Sequence, residues 1–165
     1  MRGRGRAIAV LGVVVVALCG CSSESPPLPV VDDIAAAIAA VEAVDDTVMF
    51  REVNADTEVV RLFVASSGDS EVVGYLYVEG DLLGPAPPQS VDPGPAFAAD
   101  AVDLDTDAVF GAILAELDDP EIERFVITAA DDGAARYEAF VRSERGGLLA
   151  VQLSGDGSVL GVVPR

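Results

Sequence analysis

The chain contains no histidine and no lysine, and its two cysteines both fall within the first 21 of its 165 residues. Without histidine, it cannot build a Ser-His-Asp or Cys-His catalytic centre, a histidine metal site or the usual switch near neutral pH. It also has no phosphate-binding glycine loop and no redox pair of cysteines. These absences argue against most kinds of enzyme, and we expect no catalytic residue, no cofactor and no metal ligand.

The N-terminal residues have the layout of an export signal. Three arginines precede an apolar run from Ala7 to Leu18. The run is too short for a transmembrane anchor, since spanning a bilayer takes roughly 20 apolar residues. We therefore predict a cleaved signal over residues 1–20.

The end of this signal, Leu18-Cys19-Gly20-Cys21, resembles the bacterial lipobox. Leu18, Gly20 and Cys21 occupy its aliphatic, small and lipidated positions, while Cys19 departs from the usual residue at its position. The resemblance implies that Cys19 leaves with the signal and that Cys21 carries a lipid such as palmitate. It also implies an anchor at the extracytoplasmic face of the cell membrane. The alternative is an ordinary cleaved signal that leaves Cys21 as a spare thiol.

Beyond the signal, the chain is long enough for one ordinary domain and strongly acidic. Seven arginines in residues 21–165 face 28 acidic residues, which gives a net charge of −21. Such a surface repels nucleic acid and anionic headgroups, so we expect no nucleic-acid partner. The abundance of alanine, valine and aspartate, with arginine in place of lysine, resembles high-GC actinobacterial proteins.

Proline-rich stretches divide the chain. We predict a tether over 21–31, a first folded segment over 32–84, a connector over 85–104 and a second segment over 105–165. Each segment opens with Asp-rich capping residues and an apolar helical stripe. The predicted stripes are Ile34, Ile38 and Val41 in the first segment, and Phe110, Ile113, Leu114 and Leu117, ended by Pro120, in the second.

Short β-type runs separated by turn residues follow each helix. They are Val48–Val53, Val59–Ala65, Val72–Val78, Leu82–Leu83, Ile122–Thr128, Ala135–Val141, Leu148–Leu153 and Val159–Val162. A shift of 77 residues also aligns seven identities, among them Phe63 with Phe140 and Leu76 with Leu153. We interpret this as an internal duplication.

A helix followed by a meander, repeated twice, predicts an α+β fold of two tandem helix-plus-antiparallel-β-meander units, with the helices packed on one face of the sheet or sheets. The order resembles the PepSY-like and β-lactamase-inhibitor-protein-like families. That resemblance implies a binding or inhibitory module of the cell envelope.

Strand alternation suggests a binding surface on the face away from the helices. The charged residues of Ala135–Val141 predict that Tyr137, Ala139 and Val141 point inward. The duplication then predicts that Val60, Leu62 and Val64 do the same. In the next strand, Leu76 and Val78 are predicted to point inward and Tyr75 and Tyr77 outward. Aromatic and arginine side chains, which are enriched at interface hot spots, are left facing outward. This predicted partner-binding set is Arg61, Phe63, Tyr75, Tyr77, Arg136, Phe140 and Arg142.

Two further patterns suggest other chemistry. Asp103, Asp105 and Asp107 open like a calcium loop, but Ala108 and Leu114 stand where that loop needs glycine and glutamate, so helix capping explains the cluster better. Adjacent acids at 45–46, 118–119 and 131–132 could serve a hydrolase that uses two carboxylates. In a chain so rich in acids, however, turn and helix-end positions account for such pairs.

The sequence therefore predicts a non-enzymatic envelope lipoprotein that binds an exported protein or a small envelope ligand. One alternative is a structural or scaffolding lipoprotein without a dedicated site. A carboxylate-dependent hydrolase is the other.

Overall fold

In the part of the chain that the structure describes, alternating and continuous apolar runs separated by turns give nine antiparallel strands, which hydrogen-bond into one sheet. The computed structural model describes residues 26–66, 70–117, 120–142 and 146–165. Cys21 and the predicted signal lie outside these residues. The strands are β1 Phe50–Ala55, β2 Val60–Ser66, β3 Glu71–Val78, β4 Asp81–Leu83, β5 Gln89–Ser90, β6 Glu121–Ala129, β7 Ala135–Arg142, β8 Leu148–Leu153 and β9 Val159–Pro164.

The order across the sheet is β4-β3-β2-β1-β6-β7-β8-β9, and β5 also pairs with β3. The centre is the antiparallel pair β1–β6, in which Glu52 lies opposite Thr128 and Ala55 opposite Phe125. Because this pair joins strands from the two parts of the chain, the strands share one continuous sheet.

The predicted α+β architecture of two tandem helix-plus-meander units is therefore wrong. Strands dominate the described residues, and the helical part is small: α1 Ile34–Glu42, α2 Gly111–Glu116 and single 3-10 turns at Val31–Asp33 and Ala99–Ala101. The pattern of each segment taken alone could not reveal the pairing of β1 with β6. The predicted boundaries of the segments and the duplication stay predictions.

Helix α1 covers one face of the sheet with the predicted stripe. Ile34, Ile38 and Val41 are buried and are joined by Ala37. They belong to one core with the strand residues Val53, Leu62 and Phe125, among others. The face of the sheet that carries this core is called the inner face, and the opposite one the outer face.

Helix α2 is shorter than predicted because the residues before it form turns. The carbonyl oxygen of Asp105 accepts hydrogen bonds from the N–H groups of Ala108 and Val109, and α2 begins only at Gly111. Phe110 and Ile113 are buried as predicted, whereas Leu114 is 46% exposed. None of the helices among the described residues is both long enough and apolar enough to span a membrane.

The predicted connector takes part in the sheet and the core. Ala86 N–H donates to the carbonyl of Gly74, and β5 continues this contact along β3. Further on, Phe97 exchanges two backbone hydrogen bonds with Phe50, and their rings stack 5.8 Å apart. Phe97 is fully buried, so part of this proline-rich stretch belongs to the folded domain.

Candidate binding surface

The inner and outer faces follow from the strand register, since residues opposite each other in neighbouring strands point to the same face. Val60, Leu62 and Val64 are buried on the inner face, and so are the β7 residues Tyr137, Ala139 and Val141. These six residues confirm the predicted direction of β2 and β7.

Strand β3 is placed the other way round from the prediction. Tyr75 lies opposite Leu62 and Tyr77 opposite Val60, so both tyrosines lie on the inner face and pack against the core. Leu76, predicted to point inward, is 40% exposed and lies opposite Arg61. The prediction that Tyr75 and Tyr77 belong to the outer face is wrong.

Five of the seven predicted residues remain on the outer face, in two clusters. Arg61 and Phe63 lie on β2, and Arg136, Phe140 and Arg142 lie on β7. Strands β1 and β6 separate the two clusters. Three strand spacings of about 4.8 Å place them roughly 14 Å apart.

The first cluster borders a shallow apolar cleft of about 280 Å³ between β2, β3 and residues 83–89. Phe63, Leu76 and Leu83 line it, and Leu83 is 52% exposed. Arg61 is held at its side by an ion pair of 2.5 Å with Asp56. Partial burial opposes the charge of Asp56, but hydrogen bonds from Arg61 and from the N–H groups of residues 58 and 59 hold its pKa below the ordinary value.

In the second cluster, Phe140 and Arg142 already have partners within the chain. The Arg124 guanidinium carbon lies 4.2 Å from the centroid of the Phe140 ring, and that of Arg165 lies 6.0 Å away. Arg142 pairs with Glu121 at 3.8 Å and, more closely, with Glu123. Both side chains are therefore engaged in contacts within the outer face.

Arg136 differs from these neighbours. It is exposed, and it forms no ion pair with any residue that the structure describes. It borders a cleft of about 570 Å³ whose lining also includes Thr128, Glu138, Gln152 and Leu160. Glu138 is engaged by Arg165 at 3.6 Å. The cleft thus offers one uncompensated cation beside an amide and a hydroxyl.

Tyr137 lies below this cleft as a structural residue. Its hydroxyl accepts a hydrogen bond from the Asp103 N–H at 2.9 Å and donates one to the Asp103 carbonyl at 3.1 Å. Burial raises the pKa of Tyr137. The ring is therefore packed against the core and its hydroxyl is satisfied.

The acidic pairs act as turn residues where they are described. The Asp45 carboxylate accepts hydrogen bonds from the backbone N–H and the hydroxyl of Thr47, and these bonds, the backbone one most, lower the pKa of Asp45. The Asp132 carboxylate accepts a hydrogen bond from the N–H of Ala134 at 3.1 Å. The pair at 118–119 lies outside the described residues. Within the described ranges, no group of three or more acidic, cysteine or histidine side chains could hold a metal ion.

Sequence reasoning missed one exposed surface. Val159, Leu160, Val162 and Val163 of β9 are between 40% and 69% exposed. The signal was present: from Gly157 to Pro164 the chain has no charged residue. Gln152 and Thr128, which border the Arg136 cleft, gave no such signal, because single polar residues in strands are common.

Comparison with known proteins bears on the fold. No family model and no curated protein matches the chain. A crystal structure of a protein designated a lipoprotein, from Clostridium difficile 630, superposes with a TM-score of 0.55 at 12% sequence identity. The match covers 87% of this chain and 97% of the other. The chain is therefore similar in fold to that clostridial protein.

Proposed function

We propose that the chain is an envelope lipoprotein, anchored through Cys21 at the extracytoplasmic face, which binds another exported protein through the outer face of its sheet. The signal layout and the lipobox-like Leu18-Cys19-Gly20-Cys21 support the anchor. The neighbour with the same fold, designated a lipoprotein, supports it independently. A two-chain lipid gives stable anchoring, where one chain would be marginal.

The anchor is tested by replacing Cys21→Ser in the full chain. We expect the protein to lose labelled palmitate and to leave the membrane fraction, because the sulfur that carries the lipid is gone. Cys19→Ser is the matched control and should keep both properties, since that residue departs with the signal. Membrane association and labelling that survive Cys21→Ser would show that the lipobox interpretation is wrong.

One observation carries the binding proposal: Arg136 is an exposed cation with no ion-pair partner among the residues that the structure describes, in a chain whose net charge is −18. Each other arginine among the described residues contacts an acid, a carbonyl or a ring. A guanidinium binds carboxylates through two parallel hydrogen bonds, so the cleft fits a carboxylate of the partner.

The charge of the chain also limits the partner. An acidic protein repels acidic partners and attracts basic ones over long range. We therefore propose a partner of neutral or basic net charge that places one carboxylate, from a side chain or a C-terminus, against Arg136. The apolar cleft at Phe63 and Leu76 extends the same face.

A small carboxylate ligand is the second candidate. The cleft of about 570 Å³ lies within the range of roughly 300–1,000 Å³ that is usual for small-molecule sites.

A photo-crosslinking residue at Gln152, which is exposed and lines the cleft, tests the binding proposal in intact cells. We expect an adduct of protein size that Arg136→Glu decreases about tenfold or more, which corresponds to 1.4 kcal/mol. The control position is Val44, which is 65% exposed and follows α1. An adduct equal at both positions, or none at either, would contradict the proposal, and an adduct below protein size would favour the small ligand.

A further inference from the structure

Strand β9 forms an open edge of the sheet. Among the described residues it pairs only with β8, so one side of its backbone faces solvent. Four of its six side chains are apolar and at least 40% exposed. A sheet edge that is long, apolar and uncharged is a ready template for another strand.

The opposite edge is protected in the ways that proteins commonly use. Strands β4 and β5 have three and two residues, and both pair with β3 along the edge that faces away from β2. Pro85, Pro87 and Pro88 lie between them and have no N–H to offer. Strand β9 is longer and carries one proline, Pro164 at its C-terminal end, so it is the more available of the two edges.

The backbone of β9 has a defined direction. The N–H of Arg165 donates to the carbonyl of Leu148 in β8 at 2.9 Å. Successive residues of a strand direct their N–H and C=O groups to opposite sides, so the N–H and C=O of Val163 also point toward β8. The N–H and C=O of Val162 then point away from β8, at the open edge of the sheet.

We propose that two copies of the chain pair through this edge, antiparallel, about a two-fold axis at Val162. The N–H of Val162 in each copy donates to the C=O of Val162 in the other, and the two nine-stranded sheets become one. Leu160 then lies opposite Pro164 of the second copy, where the Leu160 N–H donates to the proline C=O but the proline, which lacks an N–H, returns no hydrogen bond.

The apolar surface beside β9 fits a second copy. A groove of about 450 Å³ lies between α2 and strands β8 and β9, lined by Ile113, Leu117, Val151 and Val162, among others. A strand added about 4.8 Å beyond β9 extends the floor of this groove with its own Val162 and Pro164.

The absence of charged residues in β9 favours pairing with a second copy of the same strand. The segment from Gly157 to Pro164 has no charge, so the pairing of two such segments buries none. A two-fold interface needs one patch that complements itself, and a central Val162–Val162 pair meets this condition. The acidic bodies repel each other at longer range, so the dimer should strengthen as salt rises.

A cysteine at the axis tests this register. In the full chain with Cys19→Ser and Cys21→Ser, Val162→Cys supplies the only thiol. Hydrogen-bonded antiparallel residues have Cα atoms about 5.5 Å apart, within the disulfide range of roughly 4.4–6.8 Å. We expect a disulfide-linked dimer under mild oxidation. Val44→Cys, at a 65% exposed position, is the control and should stay monomeric.

Val162→Lys tests the same interface without oxidation. Two lysines facing each other across the axis should lower the association constant about tenfold or more in sedimentation equilibrium. Val44→Lys should leave it unchanged, and thermal unfolding checks that both variants are folded. Arg136→Glu should also leave it unchanged, which separates the dimer from the binding proposal. A monomer at every concentration and salt, or equal crosslinking at positions 162 and 44, would overturn the dimer.

Discussion

At the scale of residues, Tyr137 connects parts of the chain that are distant in sequence. Its ring stacks on Phe125 with centroids 6.1 Å apart, and its hydroxyl both donates to and accepts from the backbone of Asp103. One side chain therefore holds the segment that precedes α2 against the inner face of the sheet.

Tyr137→Phe should lower the free energy of unfolding by about 1–3 kcal/mol, because the Asp103 N–H and C=O lose their partner. Urea unfolding measures the change. Tyr77→Phe is the control: Tyr77 packs against the same core, so loss of its hydroxyl should change stability by less than about 0.5 kcal/mol. Equal losses in the two variants would mean that the Asp103 contact contributes nothing.

The same pair of variants gives a pH test. Burial raises the pKa of Tyr137 above that of an unfolded tyrosine, about 10. Above that pH the unfolded chain loses the proton while the folded chain keeps it, so stability should fall as pH rises. Tyr137→Phe should make this fall smaller.

At the scale of elements, the turn between β8 and β9 approaches the segment before α2 too closely for any side chain. Gly155 accepts a hydrogen bond from the Asp105 N–H at 2.8 Å, and a Cβ on Gly155 would overlap the carbonyl of Asp103. A Cβ on Gly157, whose φ is +82°, would overlap the backbone of Ala108. Two glycines thus allow the turn to pack here.

Gly155→Ala should destabilise the fold by about 1–3 kcal/mol, because backbone must move to admit the methyl group. Gly111→Ala is the matched control. Nothing lies within 4 Å of its Cβ position, and it opens α2, so alanine should stabilise by up to about 1 kcal/mol. Thermal unfolding of both variants measures the difference, and a neutral Gly155→Ala would contradict the close approach.

The sequence predicted the strands well and their register poorly. Strands such as β7 alternate charged and apolar residues, which identifies the inner face. Strand β3 is apolar almost throughout, so alternation alone does not identify its inner face, and the duplication would give the wrong one. Val60 pairs with Tyr77, whereas the aligned Tyr137 pairs with Leu153, the counterpart of Leu76. This difference of one residue reverses every side chain of β3 and removes Tyr75 and Tyr77 from the candidate site.

At the scale of the whole molecule, the sequence could not show that the strands form one sheet. The pairing of β1 with β6 involves no local signal, because its residues are far apart in the chain. The Arg136 cleft was missed for a similar reason: Thr128, Arg136 and Gln152 come from three strands. Only the pairing of those strands brings the three side chains together.

The central pair β1–β6 also determines when the molecule can finish folding. Residues 52–55 pair with residues 125–128. In a chain that is synthesised or translocated from its N-terminus, one side of β1 therefore stays unpaired until β6 is available. Contacts between such distant segments form slowly, since the intervening loop must close first. Under the proposed export, this late closure of the sheet would leave the chain unfolded for most of its passage across a membrane.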